Sequence, residues 1–263
     1  MPTVKTLEEH CGYVERMARI SFYFARKWLD AKLPGKKPGE LLRDHTPLLY
    51  HGLNYSPDCW KEDSGCQRIL AEADRLADLE PEEFEETMWK FIAPDVRQRA
   101  ELHYPNAVGV KAPSSWNCGS LKYDPPKANL PKEWVVFHIA NAVGPHSIFD
   151  HPDYLPLCFG LLMKESEIRF DSNVLYTSSW LNDREDWLAY FPQEWHDNLS
   201  PKRKNFVPEW HFGWWGQLVT ARGMINPKAE EFVRTQGFLK YACRTSHCSF
   251  EKMKKHLKEN FAS

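Results

Sequence analysis

A strand–helix–strand pattern between Trp134 and Trp195 constrains the fold of this chain more than any other feature. The apolar run over 134–143, interrupted by His138 and Asn141, reads as a buried strand. The polar turn Gly144-Pro145-His146-Ser147 follows, then an amphipathic helix, then a second strand-like run over 173–181. Two strands joined by a helix of this length lie parallel with a right-handed crossover. Open parallel sheets bind ligands beyond the carboxyl ends of their strands, so the loops after these runs are where a site is expected. The expected fold is α+β or α/β, a helical N-terminal region followed by a small mixed sheet containing this βαβ unit.

The N-terminal region reads as helical throughout. Residues 6–32 form a first helix, with Thr6 and Glu9 in capping-box spacing, and the Pro/Gly/Lys stretch 32–39 ends it. Ser56-Pro57 opens a helix reaching about Leu79, with Cys59 and Cys66 on one face as small core thiols. Pro81 opens another behind Glu82 and Glu83, and Pro94 starts a separate helical piece to about Leu102. Tyr104-Pro105-Asn106 then reads as a turn and Ala107–Val110 as a short strand. The expected division is a mainly helical region 1–103 and an α/β region 104–263 carrying the site, either as separate parts or as one compact domain.

Composition narrows the function classes. Lys plus Arg number 34 against 36 for Asp plus Glu, which removes the main electrostatic case for a nucleic-acid or membrane-surface partner and leaves a small-molecule substrate or a protein partner. The longest apolar run, Leu155 to Met163, is too short to span a bilayer, and no apolar leader follows Met1, so a cytoplasmic protein is expected. Seven cysteines without framework spacing read as reduced thiols.

Within the βαβ unit, alternation sends His138 and Phe137 to opposite faces of the first strand. Asn141, His146 and Ser147 fall at its carboxyl end, and Ser178 near that of the second strand. The 144–147 turn precedes a helix capped by Asp150 or Asp153, whose N-terminus suits a phosphate or carboxylate. Cys118, on a loop with Asn and Gly, is a candidate nucleophile with His138 as its base. The aromatic stretch 208–219 reads as a strand that puts His211, Trp215 and Gln217 on one side, as a substrate-orienting set. Cys243, His247 and Cys248 invite a zinc reading but lack a second ligand pair, and no metal set is expected.

Strand, turn, helix and strand, then Asn182 and, farther on, Tyr190-Phe191, resemble the cofactor-binding half of GCN5-related acyltransferases, over residues 134–191. The resemblance implies an acyl- or other group-transferase with acyl-CoA as cofactor. It makes Tyr190 the proton donor to a departing thiolate and gives Asn182 to the cofactor, these two being the only matching side chains; by position at the strand ends Asn141, Ser147 and Ser178 join the cofactor pocket and His146 or His138 serves as base. The glycine-bearing pyrophosphate loop of that family is missing from Val143-Gly144-Pro145-His146-Ser147. A second pattern, His151-Pro152-Asp153 with His211 and Arg222 downstream, resembles the iron triad and cosubstrate anchor of 2-oxoglutarate-dependent oxygenases. A third possibility is a non-catalytic ligand- or protein-binding module, with Trp210, Trp214 and Trp215 as an exposed interface.

Overall fold

The computed structural model describes residues 5–108, 117–202 and 206–261. In chain order its regular elements begin with α1 (Leu7–Phe24), which runs through a π-helical turn, Ala25–Leu29, into α2 (Asp30–Lys32). After α3 (Pro38–His45), α4 (Ser64–Arg75) and α5 (Pro81–Val108) come β1 (Asn117–Cys118), β2 (Leu121–Tyr123) and β3 (Trp134–Ile139). Then follow α6 (Tyr154–Phe170), β4 (Val174–Ser179), α7 (Glu185–Leu188), α8 (Gln193–Asp197), α9 (Phe212–Trp215), α10 (Pro227–Gln236), β5 (Arg244–Ser249) and α11 (Phe250–Phe261). The fold is α+β, with a helical N-terminal region and a small mixed sheet containing a parallel pair, as the pattern of apolar runs predicts.

The chain divides into two compact units, one of residues 1–109 and 204–240, the other of 110–203 and 241–263. The return of 204–240 to the first unit has no signal in the sequence, because its aromatic residues find their partners in chain far upstream.

In the first unit, Thr6 caps α1 by accepting from Glu9 N while the Glu9 carboxylate accepts from Thr6 N. The apolar row Phe84, Met88, Ile92, Val96 and Ala100 is buried along one face of α5. That row explains why Pro94 does not break the helix, contrary to the predicted split. Continuous burial of one face outweighs the single backbone hydrogen bond that proline removes. The same helix continues through the predicted turn at Tyr104–Asn106 and the start of the predicted strand, and Gly109 and Val110 lie outside the described residues. The helix expected from Ser56 begins instead at Ser64, where Asp63 accepts from Cys66 N; Pro57–Cys59 makes only a 3-10 turn. Cys59 and Cys66 therefore do not share a helix. At Gly237, which ends α10, φ is +70° and a Cβ would meet the Trp28 ring, so a glycine is required there twice over.

Lys5 is buried in this unit, its Nζ donating to Gly223 O at 3.2 Å and lying 4.2 Å over the Tyr13 ring. Burial pushes its pKa down to about 8, against the opposing pull of Glu9. Between that value and the ordinary lysine range the unfolded chain holds a proton that the folded chain has released, so stability rises with pH. Relative to Lys5→Met, the wild type should gain roughly 2 kcal/mol between pH 7 and 10. Above that, Tyr13, which burial pushes up, lowers the stability of both proteins alike and drops out of the difference between them. Denaturant melts across this range check the slope; a constant difference between the two proteins would show a lysine that stays charged.

The second unit holds the sheet, with strands in the order β1-β2-β3-β4-β5. Trp134 pairs with Val174 and Val136 with Tyr176 in the parallel pair β3/β4, and every other pairing is antiparallel. One face is sealed: Val135, Phe137, Leu175 and Cys248 join Phe159 and Leu162 of α6 and Met253 of α11 in one apolar cluster. Gly119, at φ +66°, turns the β1/β2 hairpin where a Cβ would come within 2.6 Å of Cys158 Sγ. By alternation the second face carries Lys122, Trp134, His138, Tyr176, Ser178 and His247.

Candidate functional site

Two neighbouring polar groups stand out on the second face of the sheet. His138 is exposed near the carboxyl end of β3, and its Nε2 donates to Asp124 Oδ2 at 2.8 Å. Asp124 follows β2 and also holds Lys127 Nζ at 3.1 Å. Burial opposes the aspartate's charge, but the hydrogen bonds from His138 and Lys127 outweigh it and hold the carboxyl below the usual range. One strand over, Thr177 Oγ1 donates to Phe137 O at 2.7 Å, which sets the level of β4 against β3 and brings exposed Ser178 alongside His138. Ser178 Oγ and Cys243 Sγ lie 3.3 Å apart. Farther along the same face, at the start of β3, Trp134 stacks on His247 at 4.4 Å between centroids and leans on Tyr176 at 5.5 Å. An imidazole fixed by a carboxylate, a hydroxyl and an aromatic surface thus share one face.

The loop after β3 is braced by its own side chains. Asn141 Nδ2 donates to His146 O, its Oδ1 accepts from Val143 N, and Asp150 Oδ2 accepts from Ser147 N. His146 is exposed, its Nδ1 3.8 Å from Asp150. The loop does not sit on a helix N-terminus as expected: α6 begins only at Tyr154, and Asp153 occupies the cap position without a side-chain bond. Asp150 is spent on the preceding turn, so the predicted anion cradle is displaced from the helix it needs.

Beyond β4, Asn182 is fully buried. Its Oδ1 accepts from Trp187 Nε1 at 3.0 Å and its Nδ2 donates to Arg244 O at 2.8 Å. Tyr190 is buried with its ring stacked on Phe261 at 4.9 Å, and burial raises its hydroxyl's pKa, followed by the charges of Asp186 and Asp153. Asp183, nearly covered, receives Lys202 Nζ at 2.7 Å and Ala242 N at 3.1 Å, with Arg244 Nη1 at 3.7 Å, and ties this edge together.

Cys118 is not on a loop but in β1, buried against α6, and burial, then the charges of Glu165 and Cys158, pushes its thiol up to about 11. That is the reverse of nucleophile activation. Cys248 faces the sealed core and burial raises it strongly, while His247 faces the other way; strand alternation separates the residues of the zinc reading.

His211, Trp215 and Gln217 belong to the first unit, whereas the residues expected to form the transferase pocket belong to the second. The predicted strand 208–219 is instead α9 and a 3-10 turn. His211 Nδ1 accepts from Gly213 N as the cap, its Nε2 donates to Glu209 at 3.1 Å, and Gln217 Nε2 donates to Trp214 O. In this short helical turn adjacent Trp214 and Trp215 are both buried. Nearby, His51 lies flat on Phe212 at 3.5 Å, and burial, then the His211 charge, pushes it down to about 3. The residues of the iron reading divide between the units: His151 and Asp153 are exposed in the second, while His211 and Arg222, which pairs with Glu9, belong to the first. Among the described residues no group of three or more His, Cys, Asp or Glu side chains is placed to hold a metal ion, and no helix is long and apolar enough to cross a membrane.

Asp124, Lys127 and Cys243 escaped sequence reasoning as parts of this face. Asp124-Pro125-Pro126 signals only a stop; that the aspartate reaches His138 depends on the register of β2 on β3. Comparison with protein-family models, curated proteins and solved structures finds no match for this chain.

Proposed function

We propose that the second unit is an enzyme that transfers an acyl or similar group from a thioester, such as an acyl-CoA, to a small polar metabolite. The observation that carries this reading is the Asp124–His138 pair, standing exposed at the carboxyl end of one parallel strand with Ser178 beside it on the next. Asp124 fixes the ring and stabilises the imidazolium that forms, as a carboxylate behind a catalytic histidine does. His138 takes the proton from the acceptor's hydroxyl or amine as that group attacks the acyl carbon. The carbon–sulfur bond then breaks and the proton returns from His138 to the departing thiolate. Ser178 supplies a hydroxyl one strand away for the acyl oxygen, and Trp134 and Tyr176 offer flat apolar surface to the ligand. Asn182 and Tyr190, which the resemblance to acyltransferases gives to cofactor and proton transfer, have the packing of structural residues, so the reading rests on His138 in their place.

A panel of acyl thioesters and polar acceptors, followed by turnover and thermal shift, tests the proposal. His138→Gln should lower kcat by roughly 10²–10⁴-fold with a small change in KM, the range for loss of a general base. Asp124→Asn should lower kcat less and move the pH profile. Full turnover by His138→Gln, or a panel with neither turnover nor stabilisation, would remove the acyl-transfer reading.

A further inference from the structure

Arg184 follows the turn after β4, and three aromatic rings from three chain segments surround it. Its guanidinium carbon lies 5.2 Å from the Phe149 centroid, 5.6 Å from Trp180 and 5.8 Å from Tyr241. Phe149 comes from the loop after β3, Trp180 from the turn after β4, and Tyr241 from the segment leading into β5; Trp180 and Tyr241 also stack on each other at 5.9 Å. Along one edge, Arg184 Nε donates to Asp186 Oδ1 at 2.8 Å and Nη2 to Oδ2. A guanidinium has five N–H donors in a rigid fork, so this carboxylate occupies one edge and does not engage Nη1.

Three physical consequences follow. The rings and Asp186 fix the plane of the guanidinium, so little rotamer freedom remains to be lost when a ligand arrives. Partial burial beside aromatic surface lowers the local dielectric and strengthens each charge-assisted bond. The position is the edge beyond the carboxyl ends of the parallel pair, where open sheets take their ligands.

We propose that Arg184 is the anchor for an oxyanion, a carboxylate or phosphate, carried by the small molecule that this unit binds. The assignment deepens the transferase reading by making its ligand anionic, and rests on that reading only for the chemistry that follows binding. Asp186 has two parts: it aims the guanidinium, and its negative charge opposes a second anion. That opposition gives the site a signature that a purely structural arginine lacks.

Thermal shift of the full chain with inorganic phosphate in one arm and succinate in the other, each against chloride at matched ionic strength, tests the proposal. The wild type should be stabilised in at least one arm, and the arm that responds identifies the class of oxyanion. Arg184→Gln should weaken that response about tenfold or more, the size expected for a charged hydrogen bond. Arg184→Lys, which keeps the charge without the fork, should weaken it less, and Asp186→Asn should strengthen it. Melts of each variant in chloride alone show that it is folded. His138→Gln should keep the wild-type anion response, so failed acyl transfer and failed anion binding are told apart. An equal response from Arg184→Gln, or no response from the wild type to either anion, would overturn the assignment.

Discussion

Trp187→Ala should cost about 4–8 kcal/mol, the largest single loss expected in the second unit. Its side chain is fully buried, 5.1 Å from Phe191 and 5.8 Å from Phe159 between ring centroids. Truncating a buried tryptophan removes about 3–5 kcal/mol through lost transfer energy and the cavity left behind. The indole also donates to Asn182 Oδ1, and removing it leaves a buried carbonyl oxygen short of its donor, at about 1–3 kcal/mol. The sum approaches the whole stability of a typical domain, about 5–15 kcal/mol. Asn182→Ala should cost less, since its hydrogen bonds go but little volume does. The double variant should therefore lose less than the two singles added, by about 1 kcal/mol or more, because they share one hydrogen bond. Strict additivity in denaturant melts would mean that Asn182 and Trp187 do not act together, and would return Asn182 to the pool of ligand-binding candidates.

Trp215→Ala should cost about 3–5 kcal/mol and leave self-association unchanged. Trp215 is fully buried in the first unit, edge-on to Phe24 at 5.2 Å, and Trp214 beside it is 7 % exposed. These residues therefore do not form the exposed apolar patch that an interface around Trp210, Trp214 and Trp215 would need. Sedimentation of the variant should match the wild type, while its melting temperature falls. A change in sedimentation without loss of stability would restore the interface.

The parallel pair β3/β4 was legible because Val135, Phe137 and Leu175 must be buried and the helix between the strands spans one crossover. The Thr6 cap was legible because capping joins residues close in sequence. Two of the predictions that failed depended on what lies across the chain. Pro94 stays inside a helix because the row from Phe84 to Ala100 is buried on both sides of it. In the 208–219 segment Trp214 and Trp215 both find buried places in a short helical turn, and no local propensity encodes those places. His138 was visible as a polar residue in an apolar run, but its aspartate was not. A strand's periodicity of two tells which face a residue takes, and the sequence by itself determined that much for His138 and Ser178. Which residue stands next to it on that face depends on register, set by pairing between strands distant in sequence. Only the tertiary structure could therefore put Asp124 against His138 and enclose Arg184 among Phe149, Trp180 and Tyr241.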